Sequence, residues 1–407
     1  MRRRTFLKGA ASLAAISALP LKARADGKKV LRLGMAEEVL TLDPIKTVYG
    51  PDILVQGMMF ARLQRASADR GQLFPALAES WEVSPDGLTY TFKLRPGVKF
   101  HNGRALVAED IKYSIERVLD PATQSPGAGF FASIKGFDEA ASGAKPEMAG
   151  IVVVDPQTVR FELTRPDATF LHVMAINFSF AVPKEEVEKY GADFGKHPVG
   201  TGAFKVGEWT LGQRLVLEKN PLYYRKGIPY LDKITFEFGQ EPSVALLRLQ
   251  KGEVDILGDP IPAASFNQVM ADPKNKGLIV EGSQLQTGYV TMNVNIKPFD
   301  SKLVRQAVNM AINKGRIVRI INNRAVPANQ VLPPLMPGYD KGFKGYPYDQ
   351  AKAKDLLKQA GYPEGFATEL YAMNADPNPR IAQAIQQDLA AAGIKAEIKA
   401  LDQAAVI

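Results

Sequence analysis

A chain of 407 residues is long enough for two or three domains, each with a core of its own. Its 46% hydrophobic and 23% charged residues suit a soluble globular protein, and the lack of cysteine excludes a disulfide framework, a thiolate nucleophile and a cysteine-based zinc site. The net charge of +8 is concentrated at one end: six basic residues and no acid fall within 1–25, and the remaining 45 basic and 43 acidic residues advertise no nucleic-acid patch.

Residues 1–25 read as an export leader. Arg3-Arg4-Thr5-Phe6-Leu7-Lys8 has the look of a twin-arginine motif, and Gly9 to Leu21 is Ala-rich and too short to span a bilayer. Ala23-Arg24-Ala25 is a small-x-small cleavage site, so the mature chain is expected to start at Asp26. Without cysteine it carries no lipid anchor and is expected to be free in a periplasm-like space. A basic N-terminus of a cytosolic protein is the competing reading.

Val30 opens an alternating strand that ends in the turn Thr41-Leu42-Asp43-Pro44, and 55–62 is expected as a helix. In the stretch Pro75 to Pro121, Leu88, Tyr90, Phe92 and Leu94 alternate with polar residues as a strand with one buried face. Pro85-Asp86-Gly87 and Pro96-Gly97 bracket that strand with turns. Val98 to Phe100 reads as a second short strand closed by Asn102-Gly103, and a helix follows from Glu109-Asp110 with Ile111, Ile115, Val118 and Leu119 inward. Ser125 to Phe131 is a Gly/Pro loop in which adjacent Phe130 and Phe131 cannot both be buried on one face of a regular element. A hairpin joins Ile151–Val154 to Val159–Leu163, and strands are expected at Leu215/Leu217 and at Ile234/Phe236/Phe238. A helix carrying Val244, Leu247 and Leu249 follows.

Beyond Gly282, Tyr289 to Asn293 is expected as a strand, and VRQAVNMAINKGRIV as one helix with Val304, Ala307, Val308 and Ala311 inward. Helix 350–360, strand 367–372, helix 378–392 and strand 394–399 then alternate, which is α/β patterning. Asp402 to Ile407 would be one helical turn, too short to offset its own nucleation, so the chain is expected to be truncated.

The run from Trp81 to Ser114 resembles the signature of the extracellular solute-binding proteins of peptide type, family 5, the dipeptide and oligopeptide receptors of ABC importers. The matching residues are Trp81, Ser84, Asp86, Gly87, Tyr90, Phe92, Leu94, Arg95, Gly97, Val98, Phe100, Gly103, Asp110 and Ser114, with Ala105 where Pro is usual. Pro198-Val199-Gly200-Thr201-Gly202 and the set Asn293, Pro298, Phe299, Val304, Arg305, Ala307, Val308, Ala311, Ile312 and Asn313 extend the likeness.

The resemblance implies an α/β, two-lobed periplasmic binding protein of the peptide-binding (cluster C) type. Lobe I would comprise 26–60 and 186–283, an extra small domain 61–185, and lobe II 284–407, incomplete. The expected function is capture of a peptide or peptide-like solute between the lobes and its delivery to an ABC permease by a monomer. No cofactor, metal or nucleic acid is expected. Hinges are expected near Glu186 to His197 and Ser283 to Thr287.

By the resemblance Val48, Tyr49 and Gly50 would line the cleft, although a plain surface loop is open for Tyr49. Phe130 is either a cleft residue or ordinary core. Asn293, Tyr371 and Asn374 complete the candidates, the last two through stacking and amide hydrogen bonds. The family's amine-binding Asp segment would lie beyond Ile407, and the nearest Arg to a dipeptide-type carboxylate position is Arg380, which puts strict dipeptide specificity in doubt. His101 and His197 read as surface residues, and no catalytic motif is present. An exported hydrolase or a periplasmic chaperone or co-receptor on the same fold are the alternatives.

Overall fold

The computed structural model describes residues 27–67, 72–374 and 376–401. The expected leader and the turn from Asp402 to Ile407 lie outside the described residues. One compact unit runs to Pro260 and the other begins at Ile261. Residues 261–283, assigned from the sequence to the first lobe, therefore cluster with the second unit.

The first strand, β1 (Val30–Gly34), has its partners some 200 residues away. It lies parallel to β10 (Lys233–Glu237) and to β11 (Ile256–Leu257), with Leu33 opposite Phe236 on one side and Ile256 on the other. β8 (Phe204–Thr210) and β9 (Arg214–Lys219) complete the sheet in the order β11-β1-β10-β9-β8. Its apolar face carries Leu33, Leu215, Leu217, Ile234, Phe236 and Phe238, packed with Val55 and Met59 of α1 (Gly50–Met59). Helix α1 starts and stops earlier than the 55–62 expected. Pro51 and Asp52 favour a helix N-terminus, and Phe60 turns extended while its N–H still reaches the Gln56 carbonyl.

A second core in the same unit surrounds four antiparallel strands, order β4-β5-β7-β6: β4 (Ala78–Val83), β5 (Thr89–Leu94), β6 (Ile151–Asp155) and β7 (Thr158–Glu162). The short pair β2 (Gln64–Ala66) and β3 (Leu73–Pro75) precedes it. Turn chemistry sets the β4–β5 register. Gly87 takes φ +70°, Leu88 N–H donates to Asp86 Oδ1 at 3.0 Å, and Thr89 N–H donates to Ser84 Oγ at 2.9 Å. Phe92 is fully buried and meets Phe161 edge-on at 5.7 Å.

Helix α2 (Ala108–Leu119) covers this sheet through Ile111, Ile115, Val118 and Leu119, as its periodicity requires. Asp110 caps the helix by accepting Val107 N–H at 2.9 Å and pairs with Arg104, while Ser114 Oγ accepts Val182 N–H at 2.9 Å. The expected strand at Val98–Phe100 is reduced to a single bridge, Lys99 to Ala105, because the chain reverses at once through Gly103 at φ +93°.

Helices α3 (Lys184–Tyr190) and α4 (Pro242–Gln250) belong to the first unit, and the second has two helices where one was expected. α5 (Lys302–Ala311) presents Val304, Ala307, Val308 and Ala311 inward, and α6 (Lys314–Ile320) starts anew. The break is built. Asn313 Oδ1 accepts Arg316 N–H at 3.0 Å as an N-cap, and Asp388 takes both the Asn313 N–H and the Arg316 guanidinium, each at 2.9 Å. α7 (Gln350–Gln359), β12 (Phe366–Met373), α8 (Asn378–Ala391) and β13 (Ile394–Leu401) follow, with β12 and β13 parallel. Residues 289–293 form no strand with any described strand; Val290 and Met292 lean on the apolar cluster around Val304 instead.

The Gly200-Thr201-Gly202 run is packing chemistry. A Cβ on Gly202 would stand 2.4 Å from the Met59 carbonyl carbon, and its N–H donates to Met59 O at 2.7 Å. We expect Gly202→Ala to lower stability by about 1–3 kcal/mol. Urea unfolding followed by tryptophan fluorescence reads this directly, since Trp81 and Trp209 both lie in this unit.

Candidate ligand-binding site

In the first unit three loops meet where candidate residues sit. The loop from Thr41 to Tyr49 is pinned by an ion pair with α2. Arg117 Nη1 and Nη2 donate to Asp43 Oδ1 and Oδ2 at 2.8 and 2.6 Å, with side chains only 9% and 5% exposed. The Arg117 guanidinium also lies 5.4 Å from the Phe194 ring centre. From α1, Gln56 Nε2 donates to the carbonyls of Thr41 and Asp43, both at 3.3 Å. Asn177 Nδ2 donates to Pro44 O at 3.2 Å and Thr47 O at 3.1 Å. Ser125 Oγ donates to Ile45 O at 2.6 Å, which stitches the Gly/Pro loop to the same place.

What emerges from this frame is the segment Val48-Tyr49-Gly50. Val48 is exposed, and Tyr49 is half-buried with its amide donating to Thr47 Oγ1 at 2.9 Å. Burial, and after it a hydrogen bond to Glu37, push the Tyr49 phenol up, so it stays a neutral donor at physiological pH. Gly50 is the first residue of α1 rather than a loop residue, and a Cβ there would meet nothing within 4 Å. Phe130 is 50% exposed and stacks on Phe178 at 5.8 Å, whereas Phe131 is fully buried. Thus Val48 and Tyr49 on the loop, Gly50 at the start of α1 and Phe130 in a short helical turn belong to segments tied together by Asn177 and Ser125.

The other three candidates are in the second unit. Asn293 Oδ1 accepts Asn295 N–H at 3.0 Å in a local turn. Tyr371 is 56% exposed and donates its hydroxyl to Glu369, which raises the phenol's pKa. Asn374 N–H donates to Leu401 O at 2.8 Å at the end of the β12–β13 ladder. Arg380 is held by Asp376 at 2.8 and 2.9 Å. Among the described residues no group of three or more His, Asp or Glu could hold a metal ion.

Sequence reasoning missed Arg117, Asn177, Phe178 and Glu37. Arg117 had a readable signal: Asp110, Ser114 and Arg117 follow helical spacing as a polar stripe beside the apolar face, and all three side chains are enclosed. Asn177 and Phe178 carried none. His101, expected at the surface, is half-buried instead. Its Nδ1 accepts Gly200 N–H at 3.2 Å and its Nε2 meets Gly202 O at 3.3 Å, so the hairpin 98–106 folds against the Gly-Thr-Gly turn. Burial, then Lys205, push the imidazole down to about 4 against the Gly202 hydrogen bond. His197 is exposed and stacked on Tyr190 at 4.2 Å.

Residues 72–407 match the model of the bacterial extracellular solute-binding proteins, family 5 middle. The chain belongs to this family. It is 36% identical over 329 residues to a glutathione-binding protein, GsiB, of Escherichia coli O1:K1 / APEC, covering 80% of this chain and 60% of the relative's length. The chain thus spans less than two thirds of that relative. Its fold is similar to the periplasmic binding protein DppA of Helicobacter pylori, solved with the peptide STSA: TM-score 0.81, 31% identity, 93% of this chain and 74% of that one. AgaA of A. tumefaciens R10, solved with agropinic acid, gives TM-score 0.79 at 30% identity, covering 92% and 73%. The fold class read from the sequence, α/β of the periplasmic peptide-binding kind, holds, and these relatives are binding proteins.

Two outcomes follow from the geometry. Asp43→Ala leaves Arg117 enclosed without its counter-charge and is expected to cost about 3–5 kcal/mol, partly recovered in Asp43→Ala/Arg117→Met, as read by denaturant unfolding. For His101 the folded pKa lies below the unfolded value, so the unfolded chain takes up the proton first as pH falls. Stability should therefore drop by about 3 kcal/mol between pH 6.5 and 4 in the wild type, and a His101→Gln variant should lack that component of the slope.

Proposed function

We propose that this chain is the substrate-binding component of an ABC importer, capturing a peptide or peptide-like solute and delivering it to a membrane permease. The observation that carries the reading is the likeness, over 93% of the chain, to a binding protein solved with a tetrapeptide. A relative named for binding glutathione and another solved with agropinic acid widen the candidate solutes beyond plain peptides. Under this reading the ligand contacts Val48, Tyr49, Gly50 and Phe130 of the first unit and Asn293, Tyr371 and Asn374 of the second. Main-chain groups around Gly50, where no Cβ stands in the way, suit a ligand bound through its backbone.

The division into lobe I, an inserted small domain and lobe II is supported by three separate apolar clusters. Capture then requires a closed state that binds solute better than the open one. The protein acts as a monomeric binder rather than an enzyme, exported through its leader and released from Ala25 without a lipid anchor. No described helix is long and apolar enough to cross a membrane.

Native mass spectrometry of protein purified from its own periplasm is expected to show a bound small molecule on a chain starting at Asp26. Titration with glutathione, the STSA tetrapeptide and agropinic acid should show saturable binding without turnover for one of them. Tyr49→Ala should weaken that binding about tenfold, or 1.4 kcal/mol. Turnover of the probe, or no binding of any of the three and an empty protein across preparations, would overturn the reading.

A further inference from the structure

The exposed ring of Phe130 stacks on the ring of a buried residue. Phe178 is 3% exposed, and its ring lies under Phe130 at 5.8 Å with an interplanar angle of 25°. Gly127 packs against the same ring. That glycine has φ −90° and ψ −8°, a conformation open to every L residue, so the backbone does not demand glycine there. The ring does. A Cβ on Gly127 would stand 2.3 Å from both Cγ and Cδ1 of Phe178, closer than real Cβ atoms approach any neighbour. Two residues on, Gly129 has nothing within 4 Å of its own Cβ position, so crowding is confined to the Phe178 contact.

Phe178 also has little freedom to yield. The adjacent Asn177 is buried and spends both of its amide N–H donors on Pro44 O and Thr47 O, at the root of Val48-Tyr49-Gly50. Ser179 Oγ donates to Val173 O at 2.7 Å on the other flank. Ser125 Oγ, which donates to Ile45 O, accepts Gly127 N–H at 3.2 Å and holds the glycine against the ring. Asn177 and Phe178 thus form a strut between the loop bearing Tyr49 and the loop bearing Phe130.

We propose that Phe178, seated against Gly127, is the specificity-setting residue of this unit. It positions the exposed face of Phe130, and the volume shared by positions 127 and 178 selects the shape of the apolar ligand group that Phe130 can cover. This rests on the receptor reading above and names residues that act through Phe130 rather than by contact.

The test uses the full chain in three variants: Gly127→Ala, Phe178→Leu and the two combined. A readout without ligand is the set of aromatic proton resonances of Phe130, which the Phe178 ring current shifts. Glutathione and the STSA tetrapeptide are the binding probes. Gly127→Ala is expected to move the Phe130 resonances, lower the melting temperature and change the ratio of the two affinities by about tenfold or more. In the double variant the smaller Leu side chain makes room for the added methyl group. The melting temperature should return towards that of Phe178→Leu alone while the altered affinity ratio persists, which a purely structural role would not produce. Unmoved Phe130 resonances, or an unchanged affinity ratio in all three variants, would overturn the proposal while leaving the receptor reading intact. A wild-type protein that binds neither probe would overturn both.

Discussion

The enclosed pairing of Arg117 with Asp43 is the constraint on which the loop from Thr41 to Tyr49 depends. Removing two charges from water costs several kcal/mol per ion, and the attraction repays it only where geometry is close and other hydrogen bonds are met. Both conditions hold here: the contact is bidentate, and the Asp43 backbone is engaged on each side by Thr41 Oγ1 and Gln56. A pair of this kind tolerates little loosening. Consequently the loop is locked to α2 and α1 before it reaches Val48, and Asn177 locks it a second time through Pro44 and Thr47. Tyr49 thus follows a loop anchored at both Asp43 and Thr47.

The residues that mark the family serve folding. Ser84, Asp86 and Gly87 build a turn; Asp110 caps α2; Ser114 ties down Val182; and Gly200 and Gly202 admit the carbonyl end of α1. None of these roles involves a solute. That division explains why family membership could be read from the chain while the solute could not. Turns, caps and close backbone approaches impose narrow demands on residue type, and they recur wherever the same frame is built. Exposed side chains such as Val48, Phe130 and Tyr371 are under no such demand from the frame.

Much of the frame was legible because its causes are local. Alternation placed β5, β6, β7, β9 and β10, spacing of apolar residues placed α2 with its inward residues named correctly, and α7 and α8 were placed as well. The misreadings share a cause. Residues 289–293 have a strand's composition but no described strand beside them, and one apolar helical run became α5 and α6 because Asp388, 75 residues away, captures the Asn313 N–H. His101 looked exposed because it precedes a turn, yet a backbone 99 residues later closes over it.

By itself the amino-acid order determined the α/β class, most element positions and the family, since periodicity and turn chemistry act between near neighbours. Only the tertiary structure decided that Arg117 meets Asp43 across 74 residues, and that Asn177 holds a loop 130 residues upstream. It also decided that Gly127 is kept free of a side chain by the ring of Phe178. Such contacts depend on which surfaces folding brings within a few ångströms, and no run of adjacent residues encodes that distance.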